Sequence, residues 1–337
     1  MHAITPQMQE ILDCLFDFHT PPLDTLSPEN ARNLPSITDA AHAVIGRHLT
    51  KRALRFPETV GRVEHILIPG AAGPLLARLY YPDMNMDNLP SLPVLLYFHG
   101  GGWVLGTLDT YDSSCRALCN TSQFIVVSVA YRQAPEHPFP AAANDAFAAY
   151  RWILENAQSF GGNRDLVAVA GESAGGNLAA VVCLKAKELG IRQPIHQLLI
   201  YPVTDVGLGT SSHLEFRDVQ PLNEQMMIWF RKHYLPNELD HEDPFASPLR
   251  AKDVSGLPST TIITAEIDPL SSDGDLYAQK LVDAGVMVTK KRFLGVTHEF
   301  FGLKALLPES REAVDLAGLE LKSSVDRATP SQFSAAV

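Results

Sequence analysis

Short apolar runs bounded by glycine and proline recur along the chain from Gly61 onward. Short runs rich in valine, isoleucine and leucine are typical of β-strands in a buried sheet. The predicted strands are residues 63–68, 75–81, 94–98, 124–130, 166–170, 198–201, 260–264 and 286–293. The apolar pattern therefore predicts a sheet of eight strands.

Helical patterns separate most of the strands after residue 124, for example at 141–156 and 174–189. Continuous apolar strands that alternate with helices are typical of a mostly parallel sheet with helices on both faces. The first two strands differ, because only a turn at Gly73 and Pro74 joins them. We expect that pair to be antiparallel and the fold class to be α/β.

Two segments do not fit this alternation and are interpreted as a helical cap. The N-terminal residues carry two amphipathic helical patterns, the second of which begins after a predicted cap at Ser36. Residues 205–243 are rich in aromatic residues and helix formers, and this interval is too long for a plain crossover. Insertions after parallel strands lie above the carboxyl ends of the strands, where ligands bind.

Composition excludes several classes of partner. The 337 residues are 46% hydrophobic and 19% charged, an ordinary globular composition that can bury a large core. The formal net charge of −11 repels phosphate backbones, so nucleic acid is not an expected partner. No apolar stretch is long enough to span a bilayer, and the first residues lack the pattern of a signal peptide. We expect a cytoplasmic protein.

The cysteines are too few and too scattered to form a disulfide framework. They are Cys14, Cys115, Cys119 and Cys183. Cys115 and Cys119 are spaced to lie one helical turn apart, which suggests a metal site, but no histidine lies nearby at ligand spacing. We expect these thiols to be buried and without a chemical role, in a reducing compartment. We expect neither a metal nor another cofactor.

The strongest chemical pattern is G-x-S-x-G, which runs from Gly171 to Gly175 between a predicted strand and a predicted helix. This pattern is typical of a nucleophile elbow, a turn so tight that its serine adopts strained backbone angles. Glycines on either side avoid clashes with the neighbouring strand and helix, and the N-terminal N–H groups of the helix point at the reacting carbon. We therefore predict that Ser173 is a catalytic nucleophile.

A serine hydroxyl needs a base, and in this architecture an acid and then a histidine follow the serine along the chain. The histidines after Ser173 are His196, His213, His233, His241 and His298. Only His298 follows the last predicted strand, so it is the predicted base. Asp268 follows the preceding strand and is the predicted acid, which fixes the His298 tautomer and stabilises the imidazolium. The alternative candidates for the acid are Glu266, which comes earlier after the same strand, and Asp273, which is expected to be a helix cap or a solvated charge.

A glycine-rich turn, HGGGW, follows the predicted strand at 94–98. Acyl transfer needs donors directed at the developing oxyanion, and bare glycine backbone can approach closely enough to supply them. The predicted donors are the N–H groups of Gly101, Gly102 and Ala174. The expected structural supports of the site are His99, Gly100 and Glu172. His99 is expected to hold the loop by hydrogen bonds and not to act as a base.

Taken together, the motifs resemble those of the hormone-sensitive-lipase-like, or bacterial family IV, esterases. The matching stretches are HGGGW at 99–103, YRQAPEHPFPA at 131–141, GESAGG at 171–176, DPL at 268–270 and THEF at 297–300. The resemblance implies an α/β-hydrolase fold with an N-terminal helical cap, short- to medium-chain ester substrates, and an oxyanion hole in the glycines after His99. It also implies edge-to-edge dimers, here a homodimer through the strand at 286–293.

Two residues depart from the usual pattern of that family. Gln133 stands where leucine is usual, a change expected to affect only the surface or the packing. Glu172 stands where aspartate or threonine is usual, and we expect it to position neighbouring loops. Next to Gln133, Arg132 and Glu136 are expected either to form a buried ion pair or to make separate hydrogen bonds.

The resulting domain organisation has a cap segment at 1–50, an α/β-hydrolase catalytic domain at 51–326 with the inserted segment at about 205–245, and a loose tail at 327–337. The predicted function is hydrolysis of small carboxylic esters through an acyl-enzyme. Acyl transfer, or the hydrolysis of amides or lactones, would use the same residues and stays open. A non-catalytic ligand receptor on this fold is disfavoured, because such receptors lose a member of the triad and this chain keeps all three.

Overall fold

The computed structural model describes residues 3–48, 56–84 and 91–329, and one eight-stranded sheet forms its centre. The strands are β1 (Arg62–Gly70), β2 (Gly73–Tyr81), β3 (Leu92–Phe98), β4 (Ile125–Val129), β5 (Gly162–Glu172), β6 (Gln197–Ile200), β7 (Thr260–Ile267) and β8 (Val288–Thr297). Their order in the sheet is β1-β2-β4-β3-β5-β6-β7-β8. β2 is antiparallel to β1 and to β4, and all other neighbours are parallel. The predicted fold class, strand number and antiparallel first hairpin are confirmed.

Helices cover both faces of this sheet. They are α1 (Pro6–Phe16), α2 (Pro28–Ala31), α3 (Ile37–Arg47), α4 (Asp112–Ser122), α5 (Ala141–Asn156), α6 (Ala174–Glu188), α7 (Ser211–Glu215), α8 (Glu224–Tyr234), α9 (Ser271–Asp283) and α10 (Pro308–Ala328). α5, α6 and α9 share one apolar cluster with one face, whereas α4 and α10 share a second cluster with the other. In β3, Leu96 belongs to the first cluster and Leu95 to the second, as the alternation of strand side chains requires. None of the helices in the described ranges has the length and apolar character needed to cross a membrane.

The apolar pattern did not predict α10. Its buried residues, including Ala313, Ala317 and Leu321, are mostly small and are separated by charged positions, so the apolar stripe is weak in the sequence. The helix continues to Ala328, which corrects the expectation that the chain is loose from Arg327 onward. The remaining residues of that expected tail, from 330 to 337, lie outside the described residues.

The N-terminal segment folds as three helices with clear start signals. The Ser36 hydroxyl accepts a hydrogen bond from the Asp39 N–H, and the Asp39 carboxylate accepts one from the Ser36 N–H, so a capping box begins α3. α1 is anchored to the sheet, because Met8 and Ile11 are fully buried and the Thr5 N–H donates to the Gly295 carbonyl at 2.8 Å. The expected boundary between residues 50 and 51 falls in a stretch outside the described residues.

The inserted segment after β6 contains α7 and α8, and it contacts the N-terminal segment directly. Trp229 on α8 donates from its indole N–H to the Leu26 carbonyl at 3.0 Å. α7 is joined to the start of α9, because the Ser212 hydroxyl donates to the Pro269 carbonyl at 2.6 Å. Both segments therefore lie on the side of the sheet where the parallel strands have their carboxyl ends.

Two charged pairings differ from the sequence-based expectations. Arg132 pairs with the fully buried Asp145 on α5, at 2.7 Å between Nε and Oδ2, and not with Glu136. Glu136 instead accepts two hydrogen bonds from Arg32 of the N-terminal segment, each 2.7 Å long. Of the two alternatives expected for these residues, the Arg132–Glu136 ion pair is therefore wrong, and the separate hydrogen bonds are found.

Asp273 lies in the first turn of α9 but is neither its cap nor a solvated charge, so the expectation of one of those two roles was wrong. Its carboxylate is fully buried and accepts hydrogen bonds from the N–H groups of Thr204 and Asp205 at 2.9 and 3.1 Å. His213 on α7 lies 3.4 Å away, between Nε2 and Oδ1. Burial raises the pKa of Asp273, and these donors oppose that rise. The residue holds the inserted segment against α9.

Candidate active site

Ser173 occupies a strained turn between β5, which ends at Glu172, and α6, which begins at Ala174. Its backbone angles are φ 56° and ψ −118°, a conformation that residues with a side chain rarely adopt. A Cβ atom on Gly171 would lie 2.1 Å from the Gly175 carbonyl oxygen, and one on Gly175 would lie 2.0 Å from the Phe98 oxygen. Only glycine fits at either position, so this local sequence permits the turn that exposes the serine hydroxyl.

The side chains of Ser173, His298 and Asp268 form a chain of hydrogen bonds. His298 Nε2 lies 3.0 Å from Ser173 Oγ, and His298 Nδ1 lies 2.7 Å from Asp268 Oδ2. The second oxygen of Asp268 accepts from the Leu270 N–H at 2.9 Å. Asp268 is fully buried, whereas Ser173 and His298 are 7% and 3% exposed. In the tautomer that carries the proton on Nδ1, that N–H donates a hydrogen bond to Asp268, and Nε2 can accept one from the Ser173 hydroxyl.

The environment of His298 favours its protonated form. Burial, the largest single influence, lowers the pKa of His298, but the adjacent carboxylates of Asp268, Glu299 and Glu172 together raise it by more. The net result is a pKa above the ordinary histidine value of 6.5. A histidine with a raised pKa is well suited to accept a proton from a neighbouring hydroxyl.

The glycine-rich loop after β3 lies against the same turn. Gly101 and Gly102 have φ angles of 100° and 59°, and the Gly101 carbonyl accepts from the Leu105 N–H at 2.8 Å. Within the described ranges, the N–H groups of Gly101 and Gly102 donate to no backbone carbonyl. The Ala174 N–H is the first of α6 and has no acceptor within the helix. Gly101 and Gly102 line a single cavity together with Ser173 and His298, and Ala174 directly follows Ser173 in the chain.

His99 is built into the loop as a support. It is 1% exposed, its Nδ1 lies 2.8 Å from the Gly100 carbonyl oxygen, and its ring stacks on Tyr131 at 4.4 Å between centroids. The Tyr131 hydroxyl donates to the His99 carbonyl at 2.8 Å. Burial lowers the pKa of His99 to about 4, so the ring is neutral at neutral pH. These contacts give His99 a loop-holding position, away from Ser173 Oγ.

Glu172 is buried directly behind the serine. The hydroxyl of Tyr97 donates to its Oε1 at 2.5 Å, and the hydroxyl of Tyr201 donates to its Oε2. Burial raises the pKa of this carboxyl, and the hydrogen bonds oppose that rise. The Tyr201 ring also lies 4.5 Å from the His298 ring, between centroids. No pattern in the sequence pointed to either tyrosine, because both occur in apolar strand patterns.

Gln133 has a larger role than the expected surface or packing change. Its side-chain amide donates to the carbonyls of Leu105 and Gly106, at 2.6 and 2.9 Å. Both acceptors belong to the loop that carries Gly101 and Gly102. A leucine at this position could make neither hydrogen bond, so Gln133 ties that loop to the segment after β4.

Both helical segments line the cavity above Ser173, which has a volume of about 780 Å³. Its apolar wall includes Leu12, Leu15, Phe16, Leu34, Ile37, Leu222, Met226 and Phe230. Its polar wall includes His19, Asp24, Arg32, Gln133, Asn223 and Glu299. The shape complements a small organic molecule with an apolar portion.

The two rival carboxylates do not reach His298. Glu266 accepts a hydrogen bond from the Gly295 N–H at 2.8 Å, ahead of the end of β8. Asp273 faces His213 and the residues after β6, as described above. The observed β8 ends at Thr297, four residues beyond the predicted strand end at 293, so His298 follows it directly.

Comparisons with known proteins agree with this fold. A sequence model of the α/β-hydrolase fold family matches residues 95–302. Carboxylesterase NlhH of Mycobacterium tuberculosis is 42% identical over 252 residues, which are 74% of this chain and 78% of that protein. Ethyl acetate hydrolase of Pseudomonas putida is 36% identical over 241 residues, 71% of this chain and 76% of that protein. A hyperthermophilic esterase from Pyrobaculum calidifontis superimposes with a TM-score of 0.86 at 38% identity, over 96% of this chain and 99% of its own.

The family match extends over more than half of the chain and includes the glycine-rich loop, the strained serine turn, Asp268 and His298. The similar proteins carry esterase names, and the solved structure shares the sheet and the surrounding helices over nearly its whole length. The resemblance noted in the motifs is therefore confirmed. This chain belongs to the α/β-hydrolase family, among its hormone-sensitive-lipase-like esterases.

Proposed function

We propose that this protein hydrolyses small carboxylic esters through an acyl-enzyme formed on Ser173. The observation that carries the proposal is the unbroken chain of hydrogen bonds from Ser173 Oγ through His298 to Asp268, with bonds of 3.0 and 2.7 Å. A serine in such a chain is activated as a nucleophile. The cavity above it, of about 780 Å³, has room for an ester with apolar groups on either side of the carbonyl.

In the first half of the proposed reaction, Ser173 Oγ attacks the carbonyl carbon while His298 Nε2 takes the hydroxyl proton. The carbonyl electrons move to the oxygen, which the N–H groups of Gly101, Gly102 and Ala174 stabilise as an oxyanion. The intermediate then collapses, the carbon–oxygen bond to the alcohol breaks, and His298 gives its proton to the leaving alkoxide. Asp268 stabilises the imidazolium throughout.

Water completes the cycle. It attacks the acyl carbon as His298 takes one of its protons, and the second collapse releases the acid and returns the proton to Ser173 Oγ. Transfer of the acyl group to an alcohol, or cleavage of amides or lactones, would use the same residues.

A panel of chromogenic esters of increasing acyl length, with amide and lactone counterparts, tests the proposal. We expect turnover of short- to medium-chain esters, and turnover of amides alone would contradict ester hydrolysis.

The pH profile of kcat/KM should fall on the acidic side through a single ionisation. His298 must be neutral to accept the serine proton, and its pKa lies above 6.5 in the folded protein. As the pH falls through that pKa, His298 becomes protonated and activity is lost. We expect the midpoint at or above the ordinary histidine value, in a stopped or chromogenic assay across the acidic range. Full activity maintained down to about pH 5 would argue against a histidine base.

The two helical segments are proposed to act as a cap that limits substrate size. Met226 lies on α8 and lines the cavity. Met226→Ala should enlarge the cavity and raise the kcat/KM ratio of a longer-chain ester to an acetate about tenfold, since one methylene in an apolar pocket is worth about 1–3 kcal/mol. Leu239→Ala is the matched control, because Leu239 belongs to the same inserted segment, is 82% exposed and does not line the cavity. Equal ratios in the two variants would contradict the cap proposal.

A homodimer through the strand predicted at 286–293 is also proposed. β8 lies at the edge of the sheet, and edge strands pair with other chains unless something blocks them. The basic residues of this strand are already paired within the chain: Lys290 and Arg292 with Asp275, and Lys291 with Glu312. Their charges therefore oppose strand pairing less than the sequence suggests.

Sedimentation at micromolar protein should show twice the chain mass of 36.9 kDa. The Met287 carbonyl accepts from the Thr260 N–H on β7, so the backbone groups of the next residue, Val288, point away from β7. Val288→Pro removes that outward donor and should yield monomers without disturbing the β7 ladder. A wild-type monomer, or a dimer unchanged by Val288→Pro, would contradict the proposed interface.

The proposed setting is the cytoplasm. The cysteines Cys14, Cys115, Cys119 and Cys183 are free and buried. Burial raises the pKa of Cys119 to about 12, so at neutral pH it is a thiol and a poor nucleophile. Thiols of this kind are compatible with a reducing compartment.

A further inference from the structure

A strained glutamate follows the candidate base and lines the active-site cavity. Glu299 has a φ angle of 63°, in the left-handed region that favours glycine. It is half-buried, and its side chain forms part of the cavity wall beside Ser173 and His298. Strained residues concentrate at functional sites, where a mechanism requires a particular side chain at that position. The steps proposed above do not use this carboxylate.

Tyr111 holds the Glu299 carboxylate in place. The Tyr111 hydroxyl donates to Glu299 Oε1 at 2.9 Å, and Tyr111 itself is 5% exposed. The same hydroxyl packs on the glycine-rich loop, because a Cβ atom on Gly100 would lie 2.4 Å from it. One hydrogen bond to Tyr111 leaves the carboxylate with further acceptor capacity on the cavity side.

The other charged groups around the cavity leave a negative balance. Arg32 is neutralised by Glu136, with 2.7 Å between Nη2 and Oε2. Asp24 adds a second carboxylate at an exposed position of the lining. The formal net charge of the whole chain, −11, has the same sign as these groups. A cation bound beside His298 would therefore pair with the Glu299 carboxylate in a partly desolvated site.

We propose that Glu299 is a specificity-determining residue that makes the cavity favour esters carrying a positive charge, such as a quaternary ammonium group, over uncharged esters of the same shape. The proposal rests on the proposed ester hydrolysis. It assigns Glu299 a role in substrate binding.

The test compares two esters with the same acyl group, a choline ester and the neohexyl ester that is its uncharged carbon isostere. Glu299→Gln keeps an oxygen acceptor for Tyr111 and the length of the side chain but removes the charge. We expect this variant to lower the kcat/KM ratio of the choline ester to the neohexyl ester about tenfold, mainly through a higher KM for the cation. Any effect of the lost charge on His298 acts on both esters alike, so it cancels in this ratio.

Glu155→Gln is the matched control, because Glu155 is an exposed residue of α5 and the change in net charge is the same. It should leave the ratio within twofold of wild type. A Glu299→Gln ratio equal to that of Glu155→Gln would overturn the proposal, as would a wild-type enzyme that cleaves the neohexyl ester but not the choline ester. If the wild type cleaves neither ester nor any member of the chromogenic panel, ester hydrolysis itself is wrong, and the role of Glu299 is rejected with it.

Discussion

Ser173→Ala should lower kcat/KM for ester hydrolysis by about 10³-fold or more while the protein stays folded. The hydroxyl is the attacking atom in the proposed mechanism, and alanine has no atom to replace it. Alanine fits the strained backbone as well as serine does, since both carry a Cβ at the φ angle of 56°. The N–H groups around the cavity remain, so a small residual activity is expected.

Ser324→Ala provides the control for this prediction. Ser324 is also buried, at 1% exposure, but its hydroxyl donates to the Leu321 carbonyl within α10, on the far side of the sheet from α6. The control should keep wild-type kcat/KM, and circular dichroism should show both variants folded. A folded Ser173→Ala protein with near wild-type turnover would rule out Ser173 as the nucleophile.

Asp268→Asn should lower kcat/KM by about 10³- to 10⁴-fold. The carboxylate accepts a hydrogen bond from His298, with 2.7 Å between Nδ1 and Oδ2. An amide can present either an acceptor or a donor to Nδ1, so it no longer fixes the tautomer. The attraction that raises the pKa of His298 is lost as well, so the acidic limb of the residual activity should move to lower pH. Both effects are measured in one set of kcat/KM profiles.

Glu266→Gln separates Asp268 from its rival. Glu266 is near the same strand end, but it accepts from the Gly295 N–H and not from His298. We expect a loss of at most about tenfold, from a loosened loop ahead of His298. A loss in Glu266→Gln larger than that in Asp268→Asn would show that the acid has been assigned to the wrong carboxylate.

The sequence predicted the parts of the site that depend on local chemistry and chain order. G-x-S-x-G requires a particular turn, because no larger residue fits at Gly171 or Gly175. His298 and Asp268 could be chosen because each follows a strand, and parallel strands bring their carboxyl ends to the same edge. The structure brings these side chains within hydrogen-bond distance, as that reasoning expected.

The sequence could not supply contacts between distant parts of the chain. Tyr97 and Tyr201 resemble ordinary strand residues, and only the register of β3, β5 and β6 places their hydroxyls on Glu172. The Arg32–Glu136 pair joins residues 104 positions apart, and no local pattern predicts it. Glu299 was part of a matching motif, but its strain depends on a φ angle that composition does not reveal.

The most direct test of the central claim is covalent labelling of the nucleophile. A chromogenic phosphonate ester, which transfers its phosphonyl group to an activated serine and releases the phenol, should add one equivalent to the wild-type enzyme. Mass spectrometry of the digested protein should locate the adduct on the peptide that contains Ser173, and the Ser173→Ala protein should remain unlabelled. An adduct on another residue, or equal labelling of the Ser173→Ala protein, would contradict the proposed acyl-enzyme on Ser173.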